Sequence, residues 1–127
     1  MINIAVMGYG TVGSGVVEVI NTNGARINQR IGEELNIKYV LDMKDFPGDP
    51  VQDKIIHDFE TIVSDEEVQI VVEVMGGIEP ARTMILEALH AGKNVVTANK
   101  DLVATHGHEL LEAAEESGAD FLFEAAV

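Results

Sequence analysis

Cysteine is absent from this chain of 127 residues. That excludes disulfides, thiolate zinc sites and any cysteine nucleophile, and it accords with a reducing compartment. Basic residues are scarce: 8 lysines and arginines stand against 22 acidic residues, for a net charge of −14. Such a surface repels nucleic acid and anionic membranes, so neither is expected as a partner. No apolar run nears the ~20 residues needed to span a bilayer. No basic segment precedes the first apolar run, so no export signal is expected and the expected location is the cytoplasm. Internal repeats and low-complexity tracts are also missing. The hydrophobic fraction of 46% suits a single compact domain, residues 1–127, with a core that needs no covalent staple. The acidic residues gather at Glu33-Glu34, Asp42 to Asp58, Asp65-Glu66-Glu67 and Glu109 to Glu116, and read as solvated faces.

Apolar strands alternate with helical periodicity along the chain. Asn3 to Met7 reads as a strand, and Val12, Val16, Val17, Ile20, Ile27 and Ile31 recur at helical steps after it, with Gly24 as a kink and Gly32 as the stop. Ile37 to Leu41 is a second strand. Lys44 to Asp58, with Pro47, Pro50 and Gly48, reads as an irregular excursion. A short helix over Glu60 to Ser64 leads to Gln69 to Met75, whose near-continuous hydrophobicity suits a central parallel strand. Pro80 stands where a helix should begin, with Met84, Ile85, Ala88 and Leu89 as its buried stripe and Gly92-Lys93 at its close. Asn94 to Thr97 is a short strand, Thr105 can cap a helix ending at Ser117-Gly118, and Phe121 to Val127 is a last apolar strand. This order predicts an α/β domain with a doubly wound parallel sheet, of Rossmann type. The chain ends on that strand with no polar tail, which predicts a further domain beyond it.

Between the first strand and its helix lies Gly8-Tyr-Gly-Thr-Val-Gly-Ser-Gly15. Gly8 permits a tight turn off the strand, Gly10 lets a pyrophosphate approach the backbone, and Gly13 lets the helix pack closely on the sheet. Thr11 and Val12 carry the helix's opening N–H groups, where an anion is favoured. The spacing is a weak signal by itself; a strand before it and an apolar-periodic helix after it supply the context of a dinucleotide site.

Four stretches together resemble homoserine dehydrogenase, which interconverts aspartate semialdehyde and homoserine. They are Gly8 to Val16, Glu73-Val-Met-Gly-Gly77, Val96-Thr-Ala-Asn-Lys100-Asp-Leu and Phe123-Glu-Ala-Ala-Val127. The resemblance spans the chain but covers only the nucleotide-binding part of that family. It implies that the catalytic and dimerisation region lies outside this chain, that the whole enzyme is a homo-oligomer, and that it serves threonine and methionine biosynthesis. Since nothing precedes the first strand, a separate enzyme rather than one fused behind an aspartate kinase is expected.

The same resemblance implies roles for particular residues. Gly76 and Gly77 would contact the nicotinamide half of the cofactor; read physically, they suit either a flat ligand or a flexible turn. Thr97 and Asn99 can bond ribose hydroxyls or an amide. Lys100 would lie beside nicotinamide and substrate, where an ammonium polarises a carbonyl or passes it a proton; without the resemblance, a surface lysine paired with Asp101 is the simpler reading. At the end of the second strand the signs conflict. Asp42 can accept bonds from a ribose 2′-hydroxyl, favouring NAD, whereas Lys44 can pair with a 2′-phosphate, favouring NADP. Related enzymes often place a basic residue followed by aspartate here, which Lys44-Asp45 matches if one residue is inserted, although the family more often has arginine. The balance leans to NADP, with dual use open. Glu124 and Val127 match positions where the family binds a monovalent cation such as Na+ through backbone carbonyls; Glu124 reads equally as a structural hinge.

His57, His90, His106 and His108 do not form a metal-ligand set and read as surface or helix-end residues. Two functions besides the leading one share these features: another amino-acid dehydrogenase, and a non-enzymatic module that senses NAD(H) or NADP(H). The sensing module gives no reason for a lysine beside the nicotinamide. By this reading the chain binds cofactor but, without substrate-holding residues, turns over no substrate, and it is monomeric or only weakly associated.

Overall fold

A computed structural model describes residues 2–10, 13–20, 32 and 34–123. Six strands form one sheet in the order β3-β2-β1-β4-β5-β6, and every neighbouring pair is parallel. They are β1 (Ile2–Met7), β2 (Leu35–Leu41), β3 (Ile55–Ile56), β4 (Val68–Glu73), β5 (Asn94–Thr97) and β6 (Phe121–Phe123). The chain builds outward from β1 to β3, then returns to the centre and builds the other way from β4. The order therefore reverses between β1 and β4, and ligands of open α/β sheets bind outside the carboxyl ends of the strands at such a point. The expected doubly wound α/β architecture is the one observed.

Alternation along the strands feeds two cores. Ala5 and Met7 of β1 and Val71 of β4 face one side, with Ile85, Ala88 and Leu89 of α3 (Ala81–His90) and Leu102, Leu110 and Ala113 of α4 (Lys100–Ser117). Ile4 and Val6 of β1 face the other, with Val17 of the helix over residues 13–20 (α1) and Val51 of the 3-10 turn Pro50–Lys54. The short α2 (Glu60–Ser64) adds Ile62 to the first core. Burial of these strands on both faces is why β1 and β4 read as near-continuous hydrophobic runs.

β1, β2 and β4 begin one or two residues earlier than expected, at Ile2, Leu35 and Val68, and four further features differ from the sequence reading. The stretch from Lys44 to Asp58, expected to be irregular, contains the 3-10 turn and β3; a strand of two residues is too short to show a period. β4 stops at Glu73 rather than Met75, because the Glu73 carboxylate turns back to accept the N–H groups of Met75 and Gly76. α4 begins at Lys100 with Asn99 as its cap, and the Thr105 hydroxyl instead donates to Asp101 O within the helix. In α3 the buried stripe starts at Ala81, and Met84 lines a cleft. Pro80 precedes the first helical residue as expected, and Gly118 ends α4 in the left-handed region at φ 69°. The Gly24 kink and the apolar positions Ile27 and Ile31 lie outside the described residues.

At the amino ends of the strands, Lys93 is buried and donates from Nζ to the carbonyls of Asp65 (2.7 Å) and Val68 (2.9 Å). Lys38 Nζ lies 2.6 Å from Asp65 Oδ2, and the Tyr39 hydroxyl donates to the same oxygen at 2.7 Å. The Lys38 ammonium, then Tyr39 and the Glu67 N–H, hold the Asp65 carboxyl down at about 2. Arg82 of α3 donates from Nε and one terminal nitrogen to both oxygens of Glu109 on α4.

Candidate functional site

All the loops named in the sequence reading meet at the carboxyl edge of the sheet. The glycine loop comes first, and its three glycines do three different things. Gly8 has φ +105°, a conformation L side chains rarely adopt, and donates its N–H to Leu41 O at 2.7 Å. A Cβ on Gly13 would sit 2.0 Å from Gly8 O, so this glycine is what lets α1 approach β1. Gly10 has neither requirement: its φ is not positive, and no described residue would touch a Cβ there within 4 Å. The described residues leave that space open at the sheet edge. Thr11 and Val12 lie outside the described residues.

Asp42, just past β2, ties this loop down. Its Oδ2 accepts from Tyr9 N at 2.9 Å and its Oδ1 from Lys44 N at 2.9 Å. The Tyr9 hydroxyl donates to Asp49, and the ring meets Phe46 edge-on at 4.9 Å. Beside this junction opens a cleft of about 350 Å³. Leu41, Phe59, Val74, Met75, Pro80 and Met84 give it apolar walls, and Asp42, Lys44 and His57 line its polar side. His57 reaches two acceptors, with Nδ1 2.6 Å from Asp42 O and Nε2 2.9 Å from Asp45 Oδ1. Satisfying both requires a proton on each nitrogen, and these two bonds raise its pKa above that of an ordinary histidine.

The loops after β4 and β5 are cross-linked. Gly76 and Gly77 both have positive φ, 80° and 76°. Glu73 is fully buried; Oε2 accepts from Met75 N (2.9 Å) and Gly76 N (3.2 Å), and Oε1 accepts from the Thr97 hydroxyl at 2.5 Å. Asn99 donates from Nδ2 to Gly77 O, accepts from Leu102 N at 3.1 Å, and donates its own N–H to Thr97 Oγ1 at 3.0 Å. Thr97 and Asn99 therefore differ from the sequence reading: their side chains are engaged within the protein rather than held out to a ligand. Lys100, the first residue of α4, is exposed, and Nζ has no hydrogen-bond or ionic partner among the described residues, Asp101 included. Lys44 is likewise exposed and its ammonium unpaired among the described residues, whereas Lys38 and Arg82 are matched by carboxylates.

The family described as "Homoserine dehydrogenase, NAD binding domain" matches residues 8–124. This chain belongs to that family. Homoserine dehydrogenases of Lactococcus lactis and Bacillus subtilis are 44% and 39% identical to it, over 99% of this chain in each case but only 31% and 30% of their own length. The crystal structure of S. aureus homoserine dehydrogenase is similar at a TM-score of 0.89 and 41% identity, covering 98% of this chain and 32% of that one. That of Thiobacillus denitrificans homoserine dehydrogenase gives 0.91 and 38%, covering 99% and 30%. The chain thus spans about a third of the length of the relatives it matches.

A homoserine dehydrogenase NAD-binding domain takes a nicotinamide dinucleotide, and the residues present fit one. Open space over Gly10 accepts a group pressed against backbone, the apolar cleft suits a flat ring system, and two unpaired lysines stand at an edge of an otherwise acidic domain. Glu124 and Val127, the residues matched to a cation site, lie outside the described residues. The sequence reading missed two features of this domain. Glu73 was quoted only as part of a motif, although a charged residue ending so apolar a strand is itself a signal. His57 was read as a surface residue, and its exposed side chain does lie at the surface, but it also lines the cleft.

Proposed function

We propose that this chain is the dinucleotide-binding part of a homoserine dehydrogenase that reduces aspartate semialdehyde to homoserine, preferring NADPH and accepting NADH. The observation that carries the binding site is the open face of Gly10, flanked by a glycine the turn requires and a glycine the packing requires. The names of the relatives support the reaction.

The pyrophosphate runs over Gly10 to Gly13, against Thr11 and Val12 as well as the described residues. The adenosine half lies toward the cleft of Leu41, Phe59 and Met84, and the nicotinamide half toward Gly76-Gly77 and the loop Thr97 to Lys100. Asp42 already accepts two backbone N–H groups, while Lys44 and His57, whose two acceptors favour its charged form, are basic residues lining that cleft. This favours a 2′-phosphate, since the carboxylate's repulsion is partly spent on its own hydrogen bonds and an ammonium is free to pair. When bound, the reduced dinucleotide supplies the hydride. The protein contributes position and charge: the exposed Lys100 brings a proton and positive charge to the carbonyl oxygen, and the glycine backbones hold the loop flat. Thr97 and Asn99 act through their place in the loop. The groups that grip the substrate, and those that join subunits into a homo-oligomer, lie in the length of the relatives that this chain does not match; Glu124 and Val127 would give carbonyls to a Na+ site there. The enzyme works in the cytoplasm.

Titration with NADPH and NADH, followed by amide signals of Gly8, Gly10 and Gly13, tests the site, and unmoved signals at millimolar ligand refute it. Lys100→Ala in the full-length enzyme separates a dehydrogenase from a sensing module. A dehydrogenase loses most of its turnover while keeping cofactor affinity; a sensor keeps its response. Comparing aspartate semialdehyde with aspartate as substrate excludes or supports another amino-acid dehydrogenase.

A further inference from the structure

The structure assigns Glu73 as a positioning residue: its buried carboxylate joins the loop after β4, the loop after β5 and the start of α4 into one unit that sets the nicotinamide half of the site. This rests on the dinucleotide reading above.

Glu73 is fully enclosed, yet no described lysine, arginine or histidine pairs with it. A buried charge is tolerated only when hydrogen bonds replace water, and here three donors do so: Met75 N, Gly76 N and the Thr97 hydroxyl. The bond to Thr97 is short, 2.5 Å, as expected of a hydroxyl on a carboxylate. From Thr97 the path continues through Asn99 N to its Oγ1, through Asn99 Nδ2 to Gly77 O, and back along the chain to Gly76. The circuit closes on itself. Asn99 also caps α4 and immediately precedes Lys100, so the same carboxylate fixes where the helix bearing that lysine begins.

A valine at position 73 would extend the apolar strand equally well and require no partners. The carboxylate instead pins Gly76 directly, and Gly77 only through Thr97 and Asn99; both glycines are left-handed and have no side chain to hold them. Among the described residues no hydrogen bond joins the Gly8 to Gly13 loop to this circuit, although Gly8 packs against Met75; Asp42 and Tyr9 secure the loop from the β2 side. The two halves of the site are thus held by separate hydrogen bonds among the described residues, which makes the inference testable.

Binding is measured by calorimetry for NADPH and for 2′-phospho-ADP-ribose, which lacks only the nicotinamide, with thermal melts recorded alongside. The wild-type chain binds NADPH the more tightly. Glu73→Gln keeps the shape but replaces an acceptor with a donor, and Thr97→Val removes the hydroxyl. Each weakens NADPH about tenfold, the scale of one lost charge-assisted hydrogen bond, and leaves 2′-phospho-ADP-ribose within about twofold. Thr97→Ser restores NADPH affinity; should Glu73→Gln fail to fold, the Thr97 pair decides. Unchanged NADPH affinity in these variants, equal losses for both ligands, or a wild type that binds the two ligands alike overturns the inference. Failure of 2′-phospho-ADP-ribose to bind the wild type at all refutes the dinucleotide site itself, and the inference with it.

Discussion

Adding one methyl group to Gly10 and to Gly13 in turn separates what the glycine loop does for the fold from what it does for the ligand. On Gly13 the new carbon would lie 2.0 Å from Gly8 O and 2.8 Å from Gly8 C, where real contacts essentially never fall below 3.0 Å. Relief demands a displacement of at least about 1 Å, and the obstructing atoms are backbone, so no rotamer change helps. Overpacking of a tight site costs about 1–3 kcal/mol, and Gly13→Ala belongs at or above the upper end. A loss of about 3 kcal/mol lowers the melting temperature of a domain this size by roughly 10 °C. Gly10→Ala meets nothing within 4 Å among the described residues and needs no positive φ. Its stability should be unchanged, or raised by about 0.4–1 kcal/mol through the unfolded chain. The same methyl group stands where the pyrophosphate must come close, and an overlap of about 1–3 kcal/mol weakens dinucleotide binding about five- to 150-fold. Thermal melts and calorimetric titration with NADPH on the three proteins read both effects. The reasoning fails if Gly13→Ala melts with the wild type, or if Gly10→Ala binds undiminished.

Lys44→Glu should reduce NADPH affinity about tenfold or more while changing NADH little, since it replaces an attraction to the 2′-phosphate with a repulsion; equal effects on both cofactors would remove Lys44 from 2′-phosphate recognition. Lys93→Met, which leaves the carbonyls of Asp65 and Val68 without their donor, should destabilise the fold by about 2–4 kcal/mol in urea unfolding and leave cofactor affinity untouched. For Asp65, a folded pKa of about 2 against an ordinary 3.8 means the carboxylate stabilises the fold above about pH 4 and loses that contribution as pH falls toward 2. Asp65→Asn should therefore be less stable than wild type at pH 6, with the gap closing near pH 2; a gap that stays constant with pH would contradict the assignment to this carboxylate.

Most of this architecture was legible because long-period patterns survive in a single sequence. β1 and β4 declare themselves through burial on both faces, and Pro80 and Gly118 mark a helix start and a helix stop. What escaped was decided by contacts far apart in the chain. Asn99 and Thr105 are both good capping residues, and only the end of β5 determines which one caps α4. Ile55 and Ile56 become a strand because β2 offers an edge to them, not through any pattern of their own. In the site, Gly8 and Gly13 could be sorted in advance because each obeys a local steric rule. Thr97 and Asn99 could not, since whether a polar side chain faces a ligand or a buried glutamate depends on a residue more than twenty positions earlier.

Because all six strands point the same way, the domain has a working rim and an anchoring rim. Lys93, Lys38 and Asp65 are clamped at the amino-terminal side, while the loops proposed to face the ligand occupy the opposite one. Substitutions at Lys44, proposed to act on cofactor choice, therefore fall well away from the ties among Lys93, Lys38 and Asp65. For an engineer, Lys44, exposed and clear of those ties, is the position to vary for coenzyme preference with least risk to the fold.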